Sequence, residues 1–188
     1  MARPPTQVVG FDDAPFAREH RGDVRVVGIV CSKTRVDGVL STTVRRDGAN
    51  ATARIAGAID RSQFVEHLQV VLLQGIAVAG FNVIDIHELS ARTGLPVVVV
   101  LRRMPRLPAI RRALLDRVQG GARKWRLIER AGPPERAGVV WIQRAGIDHE
   151  RAAAALVATT LHGHLPEALR VAHLVAGGVT TGTSRGRA

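Results

Sequence analysis

Apolar residues follow two rhythms along this chain, and the rhythm changes once. At about 7 to 11, 24 to 31 and 38 to 44, alternating or continuous apolar runs are separated by short polar connections, which predicts three strands in an antiparallel meander. From residue 49 onward the apolar positions predict a helix from Ala49 to Ile59, a buried strand LQVVLL at 68 to 73, a helix from Val83 to Thr93 and a strand PVVVVL at 96 to 101. Strand and helix then alternate, the order that builds a parallel sheet. A basic helix is expected near 107 to 118, a strand GVVWIQ at 138 to 143, and helices near 149 to 161 and 166 to 176. Gly120-Gly121 reads as a loop, and the ends MARPPTQ and TTGTSRGRA read as frayed.

Length and composition narrow the setting. A chain of 188 residues suits one domain, 1 to 188, large enough for a sizeable core. No apolar run approaches the roughly 18 residues of a membrane span, and the amino terminus has no apolar signal segment, so the expectation is a cytoplasmic protein with no membrane partner. The single Cys31 has no second thiol to pair with and reads as small core filler.

Charge changes the picture more. Lys and Arg number 27 against 16 acids, and +8 of the formal +11 falls within residues 102 to 136. A field concentrated on one segment attracts polyanions, and planar guanidinium groups suit phosphate. Arg102, Arg103, Arg106, Arg111 and Arg112 are therefore expected to contact nucleic acid, the alternative being an arginine-rich solvated face. Trp125 and Trp141 could stack on bases, though packing is the commoner fate of isolated tryptophans.

The stretches VVGFDDAPF, DGVLSTTVRRDGANAT, LLQGIAVAGFNVIDI and LPEALRVAHL together resemble domain-of-unknown-function family 99, a mainly archaeal, endonuclease V-like set, over about residues 7 to 178. More distantly the chain resembles endonuclease V, whose first strand ends in a similar Gly-x-Asp and whose carboxy-terminal helix opens with a similar Leu-Pro-Glu-Pro-x-Arg-x-Ala-His pattern. The resemblance implies a ribonuclease-H-like α/β fold, a mixed sheet flanked by helices. It also implies a Mg- or Mn-dependent phosphodiesterase acting on nucleic acid, either divergent or decayed to a binding module. It puts Asp12 on the metal-binding aspartate.

The chain departs from that pattern elsewhere. Where endonuclease V ends its fourth strand in Asp-Gly, this chain has Gln74-Gly75, and an amide oxygen is a weaker ligand than a carboxylate. The expected glutamate after the third strand is missing, leaving Asp47 as the nearest acid, either a ligand or a turn residue. Asp12 and Asp47 are thus the candidate catalytic residues, with Gln74 as a third metal contact. Asp13 points the opposite way along the pleat, and it either supports the ligands from behind or opens a turn. Asp148, Arg170 and His173 are likewise expected behind the ligands, Arg170 and His173 sharing one helix face. The loop 74 to 82 either cradles a phosphate of a nucleotide substrate at a helix start near Asn82, or is a tight turn with Asn82 as N-cap.

Overall fold

The computed structural model describes residues 3–184; residues 1–2 and 185–188, with the fraying expected of them, lie outside the described residues. The meander is β1 (Gln7–Asp13), β2 (Asp23–Ser32) and β3 (Arg35–Arg45), antiparallel throughout. After it come α1 (Ala51–Asp60), a 3-10 turn (Val65–His67), β4 (Val70–Gln74), a two-stranded hairpin of β5 (Ala77–Val78) and β6 (Asn82–Val83), α2 (Ile86–Thr93) and β7 (Val97–Leu101). The rest is α3 (Leu107–Arg117), α4 (Gly121–Arg130), β8 (Glu135–Ala137), β9 (Val140–Ala145), α5 (His149–Thr159) and α6 (Glu167–Thr181). Among the described residues seven strands join one sheet in the order β3-β2-β1-β4-β7-β9-β8.

The central strands are buried on both faces, which is why they read as unbroken apolar runs. Val8, Val9, Phe11, Val70 to Leu73 and Val97 to Val100 are essentially inaccessible. β1, β4 and β7 are mutually parallel, so their carboxy-terminal tips share one edge of the sheet, hereafter the upper edge. Phe11 pairs with Leu73, which puts the next residues, Asp12 and Gln74, level on neighbouring strand tips.

Three expectations are corrected. First, β9 runs antiparallel to β7, with Leu101 opposite Trp141 and Val97 opposite Ala145. The reason is local: Gly138, at φ 60°, closes a β8–β9 hairpin, so the chain enters β9 from the upper edge and runs back down. Second, residues 121–130 form α4 where only a loop was expected. Gly121 starts this helix because a Cβ there would lie 1.9 Å from the Leu114 carbonyl oxygen; the glycine lets α4 cross α3 closely. Third, α6 extends to Thr181 and is capped by Gly182 in the left-handed conformation, so the order continues past the expected end at 176.

α6 lies against β1, β2 and β4. Its approach is fixed by Gly10, where a Cβ would come within 2.8 Å of the Ala168 carbonyl carbon and 2.9 Å of the Leu169 nitrogen. Backbone therefore rests on backbone at this point. Four to five residues along the helix advance about 6 to 7.5 Å, as do two residues of strand. That match carries His173 to the level of Asp12.

Candidate functional site

Asp12 is the last residue but one of β1, with its side chain on the α6 face of the sheet. Its Oδ2 accepts a hydrogen bond from His173 Nδ1 at 2.9 Å, and its Oδ1 accepts from the Asp13 amide at 3.0 Å. Asp13, one residue on, turns to the other side, where its Oδ2 accepts from the Ala79 amide of the β5–β6 hairpin at 2.9 Å. The strand also ends here. Asp12, Asp13, Gln74, His173 and Phe16 line one cleft of about 650 Å³.

Burial and the neighbouring Asp13 charge push the Asp12 carboxyl up to about 6, against the opposing pull of His173. Asp13 is raised as well, chiefly by burial. Two carboxyls held out of water side by side store electrostatic cost, which a bound cation would relieve. Gln74 shows a matching deficit: its Oε1 is closed off from water and accepts no hydrogen bond among the described residues. Buried carbonyl oxygens without a donor are uncommon and need an explanation.

These observations bear on whether the cleft suits Mg²⁺ or Mn²⁺. Among the described residues no three His, Cys, Asp or Glu side chains converge into a metal cage. A hard cation of this size does not need one, since it keeps waters and takes one or two carboxylates plus substrate phosphate oxygens. Asp12, Asp13 and the unanswered Gln74 oxygen fit that demand.

The remaining expected residues are placed elsewhere. Asp47 does not line the cleft. It sits at φ 51°, its Oδ1 accepts from the Phe81 amide at 2.8 Å, and its Oδ2 pairs with Arg46 Nε at 3.2 Å. Its amide donates to the Ala79 carbonyl at 2.9 Å, and its own carbonyl accepts from buried Lys124, whose pKa burial pulls down. Asp148 is at the opposite, lower edge, because β9 runs downward; there it caps α5 by accepting from the Arg151 amide at 2.8 Å. Arg170 does not line the cleft but donates to Glu167 within α6, Nε to Oε2 at 2.9 Å. Arg102 and Arg103 leave β7 at the upper edge, Arg106 precedes α3, and Arg111 and Arg112 lie exposed on α3.

The loop 74 to 82 holds the small hairpin, and α2 starts at Ile86 instead of near Asn82. Asp85 caps it, accepting from the amides of His87 and Glu88 and pairing with Arg130, so the anion position at that helix start is filled by the protein's own carboxylate. Asn82 is fully buried and serves a different helix: its Oδ1 accepts from the Ala51 amide opening α1, and its Nδ2 donates to the Arg45 carbonyl and Asn50 Oδ1. Gly177 and Thr181, unforeseen from the sequence, also line the cleft. Their spacing of four and eight residues from His173 is the signal that could have found them.

Comparison with known proteins places this geometry in a lineage. The family described as endonuclease dU matches residues 4–180. A UPF0215 protein of Deinococcus radiodurans is 57% identical over 182 residues, covering 97% of this chain and 93% of its own length. The crystal structure of a protein of unknown function from Archaeoglobus fulgidus is similar with a TM-score of 0.86 at 33% identity, over 92% of this chain and 97% of that one. Endonuclease V of Ciona intestinalis, in complex with a 24mer DNA containing an inosine followed by a ribo-adenosine, has a TM-score of 0.55 at 15% identity, over 89% and 82% of the two chains. The fold is therefore the ribonuclease-H-like one found in endonuclease V, as the sequence resemblance implied. Among the described residues no helix is long and apolar enough to cross a membrane.

Proposed function

The chain belongs to the endonuclease dU family, and from that premise we propose that it is a nucleic-acid-binding phosphodiesterase whose reaction takes place in the cleft of Asp12, Asp13, Gln74 and His173. The observation that carries this reading is the unanswered Gln74 oxygen beside two buried carboxyls at adjoining strand tips. Bound Mg²⁺ or Mn²⁺ would supply positive charge for a phosphate and lower the pKa of a water. The chain's own groups do the rest. Asp12 and Asp13 would hold the cation, and Gln74 would add a neutral oxygen. Asp12 orients His173 through Nδ1, which leaves Nε2 to take the proton of a water attacking phosphorus as the ester P–O bond breaks and the leaving alkoxide takes a proton from solvent. Arg102, Arg103, Arg106, Arg111 and Arg112 hold the strand's phosphates. Asp47 acts as a positioning residue, through Phe81 and Ala79, on the hairpin that supports Asp13.

A second reading has one observation in its favour: Gln74 is an amide where a carboxylate would bind a cation more tightly. In that reading the protein binds nucleic acid without cutting it. Both are tested by incubating the purified protein with Mn²⁺ and single-stranded, branched, deoxyuridine-bearing and inosine-bearing strands, the family description making deoxyuridine the first choice. Cleavage that falls at least about a hundredfold in Asp12→Asn supports the enzyme. No cleavage by the parent, with Gln74→Asp tightening Mn²⁺ binding by about 1–3 kcal/mol in calorimetry, supports the binding module. Equal Mn²⁺ binding by the parent and Asp12→Asn removes the cleft from either role.

A further inference from the structure

The helical pair α3–α4 encloses a second cleft of about 570 Å³, walled by Leu107, Leu115, Trp125, Arg111 and Arg112. That volume suits a small organic ligand. Three features of it bear on a ligand. Arg111 and Arg112 are adjacent and exposed, and among the described residues neither joins an ion pair. Leu115 is 44% exposed at the groove wall. The indole Nε1 of Trp125 is shut off from water with no acceptor among the described residues, a state that buried donors rarely keep.

An apolar slot walled by an indole, with two guanidiniums against the single carboxylate of Asp116, keeps a net positive charge and complements a flat base attached to phosphate. We propose that the α3–α4 groove seats one unpaired base of a nucleic-acid strand against Trp125 and Leu115, with the flanking phosphates on Arg111 and Arg112. This rests on the nucleic-acid reading above and sharpens it to single-stranded or extruded bases. α3 begins shortly after β7 leaves the upper edge, so the groove belongs to the segment that follows that strand. Bases inside an intact duplex are stacked and cannot reach the indole.

Trp141→Phe leaves Trp125 as the only tryptophan and a direct reporter. Its emission is followed during titration with oligothymidylate, an abasic strand of equal length, a blunt duplex and polyglutamate. Oligothymidylate should change Trp125 emission and bind about tenfold or more tightly than the abasic strand, since base stacking on an aromatic side chain is worth roughly that or more. Leu115→Glu puts an acid at an already exposed position without touching the core, and should bring affinity down to the abasic level. Trp125→Phe should lose part of the base-dependent affinity and keep the phosphate-dependent part. Arg111→Ala and Arg112→Ala should each flatten the salt dependence by about one unit. Binding that is equal for abasic and normal strands, or that depends on Arg102 and Arg103 with Trp125 emission unchanged, would overturn the groove while leaving the nuclease reading intact. Polyglutamate binding as tightly as oligothymidylate would overturn it too, and no binding of any strand would bring down both.

Discussion

Two clusters of polar side chains flank the β5–β6 hairpin, and they differ in what is left over. In the cluster of Asp47, Asn82 and Lys124, the polar groups answer one another: Asn82 makes three hydrogen bonds while fully buried, and Asp47 uses side chain, amide and carbonyl. In the cleft, Gln74 Oε1 is unanswered and two carboxyls are raised by burial. Ala79 joins the two, donating to Asp13 and accepting from Asp47. Both clusters hold an aspartate that the sequence marks as a candidate ligand. Unspent hydrogen-bonding capacity, more than charge, separates the proposed site from its scaffold.

The contrast makes predictions of opposite sign. The largest is for Asn82→Ala, which leaves the Ala51 amide without its acceptor, takes one of two donors from the Arg45 carbonyl and one of two from Asn50 Oδ1, and should cost about 3 kcal/mol in urea unfolding. A loss below about 1 kcal/mol would mean that the scaffold cluster is not saturated after all. Asp12→Asn should go the other way. A carboxyl raised to about 6 in the folded state binds protons there that the unfolded chain has released, so its stabilising contribution is full below about pH 4 and is lost as pH rises through 6. The amide removes that loss. Allowing for a weaker bond to His173, the variant should be about 2 kcal/mol more stable than the parent at pH 7, with the advantage gone near pH 4. Urea midpoints of both proteins across that range check it; a constant difference would show that Asp12 is not the group titrating. The smallest effect is for Gln74→Leu, where removing an unanswered buried oxygen should raise stability by up to about 1 kcal/mol in the absence of metal. A clear loss there would reveal a partner for Oε1 and erase the difference between the clusters.

The sequence showed the parallel strands and their upper-edge residues because burial on both faces leaves a continuous apolar run, as in VVVVL at 97 to 101. It concealed α4 because Gly120-Gly121 signals a loop and because Lys124, an ammonium, occupies one of the helix's buried positions. The β5–β6 hairpin left no period to read, its strands being two residues each. Asp12, Gln74 and His173 stand out through the endonuclease V-like motifs, yet that they meet depends on Gly10 letting α6 down onto β1, a contact no local pattern encodes. Asp47 and Asp148 looked alike as acids near motif positions. What separates them from Asp12 is partners elsewhere in the chain, such as Lys124, 77 positions away, and the downward run of β9.

The bond between Asp12 and His173 closes over 161 positions. At synthesis rates of about 5–20 residues per second, a ribosome that has polymerised Asp12 needs about 8–30 s more before it adds His173. Throughout that interval the growing polypeptide has a carboxylate but no imidazole to orient against it, and β1 has no helix resting on Gly10. A protein proposed to cut nucleic acid is made in contact with ribosomal and messenger RNA, and on that proposal the nascent chain stays unarmed until α6 has been made.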